Sequence, residues 1–261
     1  MKASILIANY NNDKYIDDCI LSLKNQTYSD IEILFHDDGS NDTSLEVIKK
    51  YPNVIVLENK VKTEYGSLNQ LNAFRKMSEL STGEILFFLD SDDYFHEAKI
   101  QNIIKEFKNS EKNQIIFDYP KIFENGKIYI KKNNFEIFKS YWSYIHPTSC
   151  ISIRKVTADE LFKTISAENY YNTWMDIRTN IYCRYLNKNY KILNEHLTIY
   201  RKSNTNISSN FKKFSKNWWN RRKEAHEYFS FFLKKNGINV NNNLDKKITN
   251  LICSFLNFNQ K

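Results

Sequence analysis

Three carboxylates crowd into four residues at Asp90, Asp92 and Asp93, directly after the apolar run 85–89. An unbroken apolar run that follows a Gly is typical of a strand buried on both faces. Like charges this close raise one another's pKa and destabilise a site unless a cation lies among them. Oxygen ligands suit Mg²⁺ or Mn²⁺, which proteins often hold by one or two carboxylates plus substrate phosphates. The spacing indicates a divalent metal site, and the alternative is a solvated turn that starts the next helix.

Two further polar loops follow predicted strands in the same way. Asn9 to Asp13 follows the strand Ser4–Ala8, and Asp37 to Asp42 follows the strand Ile31–Phe35. In open sheets with parallel strands, ligands bind beyond the carboxyl ends of the strands. We therefore expect all three loops to converge on one site.

The elements that must position these loops alternate between strand and helix. Predicted strands are Ser4–Ala8, Ile31–Phe35, Val54–Leu57, Ile85–Leu89 and Ile115–Tyr119, and predicted helices lie around 15–23, Ser44–Lys50, 66–80 and Ile100–Phe107. Strands separated by helices form βαβ units with right-handed crossovers. The fold class predicted is α/β, with a mostly parallel, Rossmann-like sheet flanked by helices.

The pattern changes after Pro120. Asn125-Gly126 between short β-prone runs is a strong hairpin signal. Further along, the sequence predicts a strand from His146 to Arg154, a capping box at Thr157–Glu160 before the helix Leu161–Ile165, a helix Asn172–Leu186 and a small basic, aromatic, helical extension over 206–261. This divides the chain into 1–120, 121–205 and 206–261.

Composition narrows the class of protein. A hydrophobic fraction of 41% with 15% aromatic residues indicates a folded globular chain. Its 4 cysteines show no CxxC spacing, so neither a zinc site nor a disulfide framework is indicated and a reducing cytoplasm fits. The apolar stretch at the N-terminus is too short for a signal peptide, and no run approaches 18 apolar residues. The chain is therefore predicted neither to span a membrane nor to carry an obvious signal.

The formal net charge of +8 conceals an uneven distribution. Residues 1–118 sum to −7 and residues 119–261 to +15. A basic part suits phosphate-bearing ligands or an anionic membrane surface. The simpler interpretation is that these lysines solvate the surface.

Together these stretches resemble the family 2 glycosyltransferases, enzymes of the GT-A fold that use nucleotide-sugars and invert the anomeric centre. The matching stretches, in the family's order over roughly residues 3–205, are Ser4–Asn11, Leu21–Tyr28, Asp37–Asp42, Thr82–Glu84, Leu89–Asp93 and, more distantly, Trp174–Asp176 and Leu197–Arg201. Two positions depart from the family pattern: Ala8-Asn9 replaces a usual Pro-Thr or Pro-Ser, and Met175 replaces a Glu before Asp176.

The resemblance implies a role for specific residues. It assigns a Mn²⁺ or Mg²⁺ ion to Asp92 with Asp90, and makes Asp176 the general base that takes the acceptor's proton. Asp93 is as well suited to capping the following helix as to a functional role. Residues implied in binding the nucleotide-sugar, most often a UDP-sugar, are Ala8, Asn9, Tyr10, Asp38, Gly66, Asn72, Asp90, Ser91 and Arg201.

The implied function is sugar transfer to a hydroxyl of a glycan or lipid-linked acceptor in bacterial surface polysaccharide synthesis, on the cytoplasmic side. The resemblance gives no role to nucleic acid and leaves the oligomeric state open. A cationic, Trp-containing tail suits the interface of an anionic membrane, whereas aromatic residues at helical spacing are also typical of a core or dimer interface.

Two other functions fit less of the chain. One is a catalytically silent relative that binds nucleotide or glycan and scaffolds an assembly, for which Met175 at the usual Glu position is the only sequence indication. The other is a nucleotidyltransferase, which usually carries a Gly-rich phosphate loop with a basic residue after its first strand. The loop from Asn9 to Asp13 has neither feature. Consumption of a sugar donor distinguishes the transferase from the silent relative.

Overall fold

Strands and helices alternate through the first half of the chain, as the sequence predicts. The computed structural model describes residues 1–59, 62–131, 144–166, 169–202, 211–239 and 244–258. Its strands are β1 Ala3–Asn9, β2 Ile31–Asp37, β3 Val54–Glu58, β4 Ile85–Asp90, β5 Tyr94–Phe95, β6 Ile115–Glu124, β7 Lys127–Tyr129, β8 Ile151–Arg154 and β9 Tyr190–Arg201. Its helices are α1 Asp13–Lys24, α2 Ser44–Ile48, α3 Gly66–Leu80, α4 Lys99–Asn109, α5 Lys155–Ile165, α6 Met175–Tyr182, α7 Lys216–Lys235 and α8 Leu244–Phe258.

All described strands join one sheet in the order β3-β2-β1-β4-β8-β6-β9-β5, with β7 paired to β6. The first four strands of that order are parallel, so their carboxyl ends share one edge. The register places Asn9 opposite Asp37 and Ala8 opposite Asp90. The three polar loops therefore converge where the sequence predicts.

Beyond β4 the sheet is mixed. β8 runs antiparallel to both β4 and β6, while β9 runs parallel to β6. β6 continues through Pro120 with two register shifts, so the predicted strand at 115–119 and the first hairpin strand are one element. The predicted hairpin is confirmed, with positive φ at both Asn125 and Gly126.

Helices cover both faces of the sheet, and β4 contributes buried side chains to the apolar cluster on each face. Phe88 belongs to the apolar cluster that packs against α3, α5, α6 and α7, and its neighbour Phe87 belongs to the cluster that packs against α1 and α4. Both rings are fully buried. Because successive strand residues point to opposite faces, this continuous apolar run gains about 1.5–3 kcal/mol per buried side chain on both sides of the sheet.

The predicted C-terminal helices are present as α7 and α8. Tyr228, Phe229 and Phe232 of α7 belong to the cluster that covers the α3 face of the sheet. α8 packs on α7, and an ion pair of 2.5 Å joins Arg222 to Asp245. The predicted boundary between residues 205 and 206 lies outside the described residues.

The predicted starts of three elements are wrong. α5 begins at Lys155 and not after a cap at Thr157, because Lys155 N already bonds Glu84 O as β8 ends; the Thr157 hydroxyl instead donates to Gln114. The predicted strand at 146–154 begins only at Ile151, after a turn of 3₁₀ helix. α6 begins at Met175, not at Asn172.

Candidate functional site

Short hydrogen bonds tie the three polar loops to one another at the strand ends. Asn9 Nδ2 donates to Asp37 Oδ1 at 2.8 Å and to Ser40 Oγ at 3.2 Å. Ser91 N donates to Ala8 O at 3.1 Å, and Asn12 Nδ2 donates to Ser91 Oγ at 3.0 Å. The loops after β1, β2 and β4 therefore form one polar floor, and Ala8, Asn9 and Ser91 lie within it.

One end of this floor offers a flat ring beside a carboxylate. Tyr10 is 44% exposed, with the Lys62 ammonium 4.0 Å from its ring centroid. Asp38 accepts a bond of 2.9 Å from Asn59 Nδ2, and its backbone N–H donates to the carbonyl of Asn9, the residue before Tyr10. An exposed ring next to a hydrogen-bonding carboxylate has the chemistry needed to stack on a base and bond its edge.

Burial and mutual repulsion perturb the two carboxylates of the predicted metal pair. The pKa of Asp90 is raised to about 8 by burial, and further by the charge of Asp92. The pKa of Asp92 is raised to about 6 by burial, while Arg201 opposes the shift. Both carboxylates thus lie where added positive charge would stabilise their ionised forms.

The donor set at this position fits a divalent cation that substrate helps to bind. Within the described ranges, no three His, Cys, Asp or Glu side chains converge as a complete metal cluster. Asp90 and Asp92 supply carboxylate oxygens, and among the described residues the buried Gln70 Oε1 has no hydrogen-bond partner. Two carboxylates suffice for Mg²⁺ or Mn²⁺ when diphosphate oxygens complete the coordination shell. The residues present therefore fit such an ion, held by Asp92 and Asp90.

Asp93 faces the protein interior, where both of its oxygens are occupied. Oδ2 accepts from Ser149 Oγ at 2.6 Å, and Oδ1 accepts from the backbone N–H of Arg201 at 2.8 Å. Burial raises the pKa of Asp93 well above its usual range, with Asp92 and Asp90 adding to the effect. Asp93 is therefore an anchor of the loop, and its carboxylate is not directed at the ligand.

A fully buried ion pair continues this anchor beneath the sheet edge. Lys99 Nζ donates to Asp118 Oδ1 at 2.8 Å, to Ser149 O at 2.7 Å and to Thr198 Oγ1 at 2.5 Å. Thr198 Oγ1 in turn bonds Asp118 Oδ2 at 2.7 Å. Ser149 thus joins the ion pair to Asp93, and the loop after β4 is supported by charge-assisted bonds from α4, β6 and β9.

Arg201 braces the same loop from the end of β9. Its Nε donates to the carbonyl of Asp92 at 2.9 Å, and its Nη2 donates to Asp18 Oδ2 at 2.7 Å. The guanidinium also lies 4.7 Å from the ring centroid of Tyr15 and 4.9 Å from that of Phe123. The resemblance assigned Arg201 to binding the nucleotide-sugar. In the structure, Arg201 is held against the backbone of the loop after β4.

Asp176 lies in the first turn of α6, near the carboxylates of the β4 loop. Its charge contributes to the raised pKa of Asp90, which places the two groups within electrostatic reach of each other. Burial raises the pKa of Asp176 itself, and the positive charge of Arg221 on α7 opposes that rise. A carboxyl with a raised pKa is suited to accept a proton near neutral pH.

The start of α3 forms the remaining wall, and here the prediction missed one residue. Gly66 begins α3 and Asn72 is half-buried. From α3, Gln70 contacts the carboxylates directly, because its Nε2 donates to Asp90 Oδ1 at 2.7 Å. Gln70 lies between Asn69 and Asn72, which are polar as well, so the sequence of α3 gives no signal that distinguishes it.

Comparison with known proteins gives a consistent family. The sequence model for glycosyl transferase family 2 matches residues 4–255. An uncharacterized glycosyltransferase of Nostoc sp. is 30% identical over 77% of this chain and 65% of its own length. The poly(ribitol-phosphate) beta-N-acetylglucosaminyltransferase TarP of Staphylococcus aureus is 33% identical over 49% of this chain and 42% of its own length. The chain spans less than two thirds of the length of these relatives.

Solved structures share the fold. The crystal structure of S. aureus TarS 1-349 in complex with UDP-GlcNAc superposes with a TM-score of 0.65 at 19% identity, over 98% of this chain and 72% of that one. A mannosyltransferase of Pyrobaculum calidifontis in complex with GDP-Man and Mn²⁺ gives a TM-score of 0.58 at 11% identity, over 97% of this chain and 69% of that one. The α/β fold of GT-A type that the sequence predicts is confirmed.

Proposed function

Because this chain belongs to glycosyl transferase family 2, we propose that it transfers a sugar from a nucleotide diphosphate donor to a hydroxyl of a glycan or lipid-linked acceptor. The observation that carries the proposal is the convergence of the loops after β1, β2 and β4 at one sheet edge, where they bring Tyr10, Asp38, Asp90 and Asp92 together. A UDP-sugar is the donor we propose, since the TarS structure with the same fold contains UDP-GlcNAc. The relative TarP, named for poly(ribitol-phosphate), supports a surface-polymer acceptor.

In this proposal the donor lies along the polar floor. Tyr10 stacks on the base and Asp38 bonds its edge. Asp92 and Asp90 hold a Mn²⁺ or Mg²⁺ ion; when bound, that ion supplies positive charge to the diphosphate leaving group. Arg201 keeps the backbone of Asp92 in place through its bond to the carbonyl. Gly66, Asn72 and Gln70 line the side of the nucleotide nearest α3.

Asp176 acts as the general base in the same proposal. It takes the proton of the acceptor hydroxyl as that oxygen attacks from the side opposite the diphosphate, which inverts the anomeric centre. Burial raises the pKa of Asp176, which suits this role, and the positive charge of Arg221 limits that rise. Met175, which replaces the family's Glu, is fully buried in the core and does not line the site.

A thermal-shift matrix tests the donor proposal. UDP, GDP, CDP, ADP and dTDP are each added with and without Mn²⁺, and a ligand at a hundredfold over its Kd stabilises by about 2.7 kcal/mol. We expect UDP to raise Tm only when Mn²⁺ is present. If no nucleotide raises the Tm of well-folded protein, a catalytically silent scaffold that binds glycan and not nucleotide becomes the better description.

Asp176→Asn tests the base. The variant should keep the Mn²⁺-dependent UDP shift, because Asp176 does not hold the nucleotide. Sugar transfer should fall by a factor on the order of a hundred or more, because no carboxylate takes the proton. Near-normal transfer by this variant would reject Asp176 as the base.

We also propose that the protein works at the cytoplasmic face of an anionic membrane, bound through the segment before α7. No helix in the described part of the chain has the length and apolar character of a membrane-spanning helix. Phe214 is 64% exposed and lies 5.5 Å from the ring of Trp218, next to the exposed Lys212 and Lys213. Exposed rings among cations suit an anionic interface.

Vesicle co-sedimentation tests this placement. We expect the protein to sediment with vesicles that contain an anionic phospholipid and to stay in the supernatant with zwitterionic vesicles. Phe214→Ser should reduce the sedimented fraction, and the exposed Val156→Ser on α5 serves as the control. Equal sedimentation by both variants would exclude this segment as the contact.

A further inference from the structure

The short segment before α6 is held by one carboxylate from the C-terminal helix α7. Glu224 Oε1 accepts the backbone N–H of Asn172 at 2.6 Å and the hydroxyl of Thr173 at 3.0 Å. Its Oε2 accepts from Asn172 Nδ2 at 2.9 Å. Hydrogen bonds to an ionised acceptor are about twice as strong as neutral ones, so three together fix the segment firmly.

Residues of α6 and of the start of α3 also hold this segment in place. From α6, the buried Arg178 donates to Thr173 O at 2.7 Å and to Tyr170 O at 2.9 Å. From α3, Ser67 Oγ donates to Tyr171 O at 2.5 Å, and the Tyr65 ring stacks on the Tyr171 ring at 3.7 Å. Segment 170–173 therefore lies between the wall of the nucleotide site and α7.

These contacts with segment 170–173 determine where α6 begins. Trp174, the residue before the helix, has extended φ and ψ, so the chain turns into α6 immediately after the residues that Glu224 holds. Asp176 follows in the first turn. A shift of the segment would therefore move the carboxylate of Asp176 with it, and misplacement of a reacting group by about 1 Å can reduce a rate by about a hundredfold.

We propose that Glu224 is a positioning residue for Asp176, an inference that rests on the proposed role of Asp176 as the base. Glu224 is not part of the apolar anchor of α7, which consists of Tyr228, Phe229, Phe232 and Leu233. Its removal leaves that packing in place. The C-terminal helix thus serves the chemistry as well as the fold.

The test compares Glu224→Ala and Glu224→Gln with Glu227→Gln. Glu227 lies one turn further along α7, exposed and 3.8 Å from Lys223, and is the matched control. We expect Glu224→Ala to lower kcat by about ten- to a hundredfold with Mn²⁺-dependent UDP affinity within about twofold of the parent. Glu224→Gln keeps one acceptor oxygen but turns an N–H₂ toward a donor, so its kcat should lie between those of parent and Ala variant. Glu227→Gln should match the parent.

Hydrogen exchange gives a readout that does not depend on activity. In Glu224→Ala, peptides covering 169–178 should exchange faster, and peptides covering β4 should exchange at the parent rate. A kcat within twofold of the parent, or a loss of UDP affinity as large as the loss of kcat, would overturn the proposal. So would an unchanged exchange rate over 169–178.

The double variant Glu224→Ala/Asp176→Asn separates this inference from the proposed function. If Glu224 acts through Asp176, the double variant is no slower than Asp176→Asn alone. An additional loss in the double variant would overturn the positioning role. Near-normal transfer by Asp176→Asn alone would instead remove the proposed base, whatever the Glu224 variants do.

Discussion

Asp90 and Asp176 lie within electrostatic reach of each other, but the chain anchors the segments that carry them from opposite directions. The loop after β4 is supported from beneath, where Asp93 joins Ser149 and the buried Lys99–Asp118 pair. The segment before α6 is held from outside, by a carboxylate 52 residues further along the chain.

The two anchors differ in what their removal should affect. The interior network is shared by α4, β6 and β9, so damage to it should reach both stability and donor binding. The Glu224 contact serves one segment, so its loss should reach turnover and leave donor binding intact. In the proposed function, the donor side, which is the loop after β4 with Asp90 and Asp92, is thus anchored in the core of the fold. The acceptor side, which is the start of α6 with Asp176, is held by α7.

The largest effect should come from Asp92→Asn on the donor side. In the proposed function Asp92 would hold the cation that compensates the leaving diphosphate, so we expect transfer to fall by a factor on the order of a thousand or more. The Mn²⁺-dependent UDP shift should disappear in the same variant. The measurement is kcat/KM together with the thermal shift.

Asp159→Asn is the control for that loss of charge. Asp159 is an exposed carboxylate on α5, outside the site, and its variant should keep the parent's UDP shift and turnover. An Asp92→Asn variant that still showed the full Mn²⁺-dependent shift would remove the cation from this position. The donor side would then differ from the acceptor side in anchoring only.

The donor side follows from short stretches of sequence. The apolar run of β4 identifies a buried strand, and the parallel pairing of β1 with β2 and β4 brings three strand ends together without information from distant residues. The anchor beneath it does not follow. Lys99 in an amphipathic helix resembles a solvated cation, yet its side chain is fully buried against Asp118, and only tertiary packing places the two together.

The next largest effect should come from a change in the buried Lys99–Asp118 pair. Lys99→Met leaves the Asp118 carboxylate buried without its cation, and burial already raises the pKa of Asp118. Breaking a buried pair on one side typically costs about 3–5 kcal/mol, and we expect that loss in the free energy of unfolding measured with urea. Donor-induced stabilisation should weaken as well, because Ser149 loses its support.

The double variant Lys99→Met/Asp118→Asn removes the stranded charge and should regain part of the lost stability. If the free energy of unfolding of the single variant fell by less than about 1 kcal/mol, the Asp118 carboxylate would not be shielded from water in the folded protein. The Lys99–Asp118 pair would then not anchor the loop after β4 from the core.

The acceptor side illustrates why sequence reasoning stops earlier there. Asp176 was predicted only through a resemblance, since nothing in its neighbours distinguishes it from a solvated helical acid. α6 begins three residues later than predicted because Asn172 bonds the side chain of Glu224 instead of joining the helix. Glu224 itself directly follows three consecutive cations, Arg221 to Lys223, and charges on a helix usually indicate a solvated face. β9 was not predicted because the polar residues 194–196 interrupt its apolar pattern, at the point where its pairing with β6 shifts register.

The smallest effect should come from Arg221→Met, which changes the charge near Asp176 and leaves Glu224 in place. The Arg221 cation opposes the rise in the Asp176 pKa that burial causes, so its removal should raise that pKa further. A base must be ionised to accept a proton, and the acid limb of the kcat/KM profile should therefore move to higher pH, with the parent's rate regained on the alkaline plateau.

Lys223→Met on the same helix, whose cation lies 3.8 Å from Glu227, should leave the profile unchanged. A lowered plateau with an unmoved limb would show that Arg221 acts through its contact with the Phe211 ring, 4.7 Å away, and not through its charge. In that case α7 would position the base without tuning it.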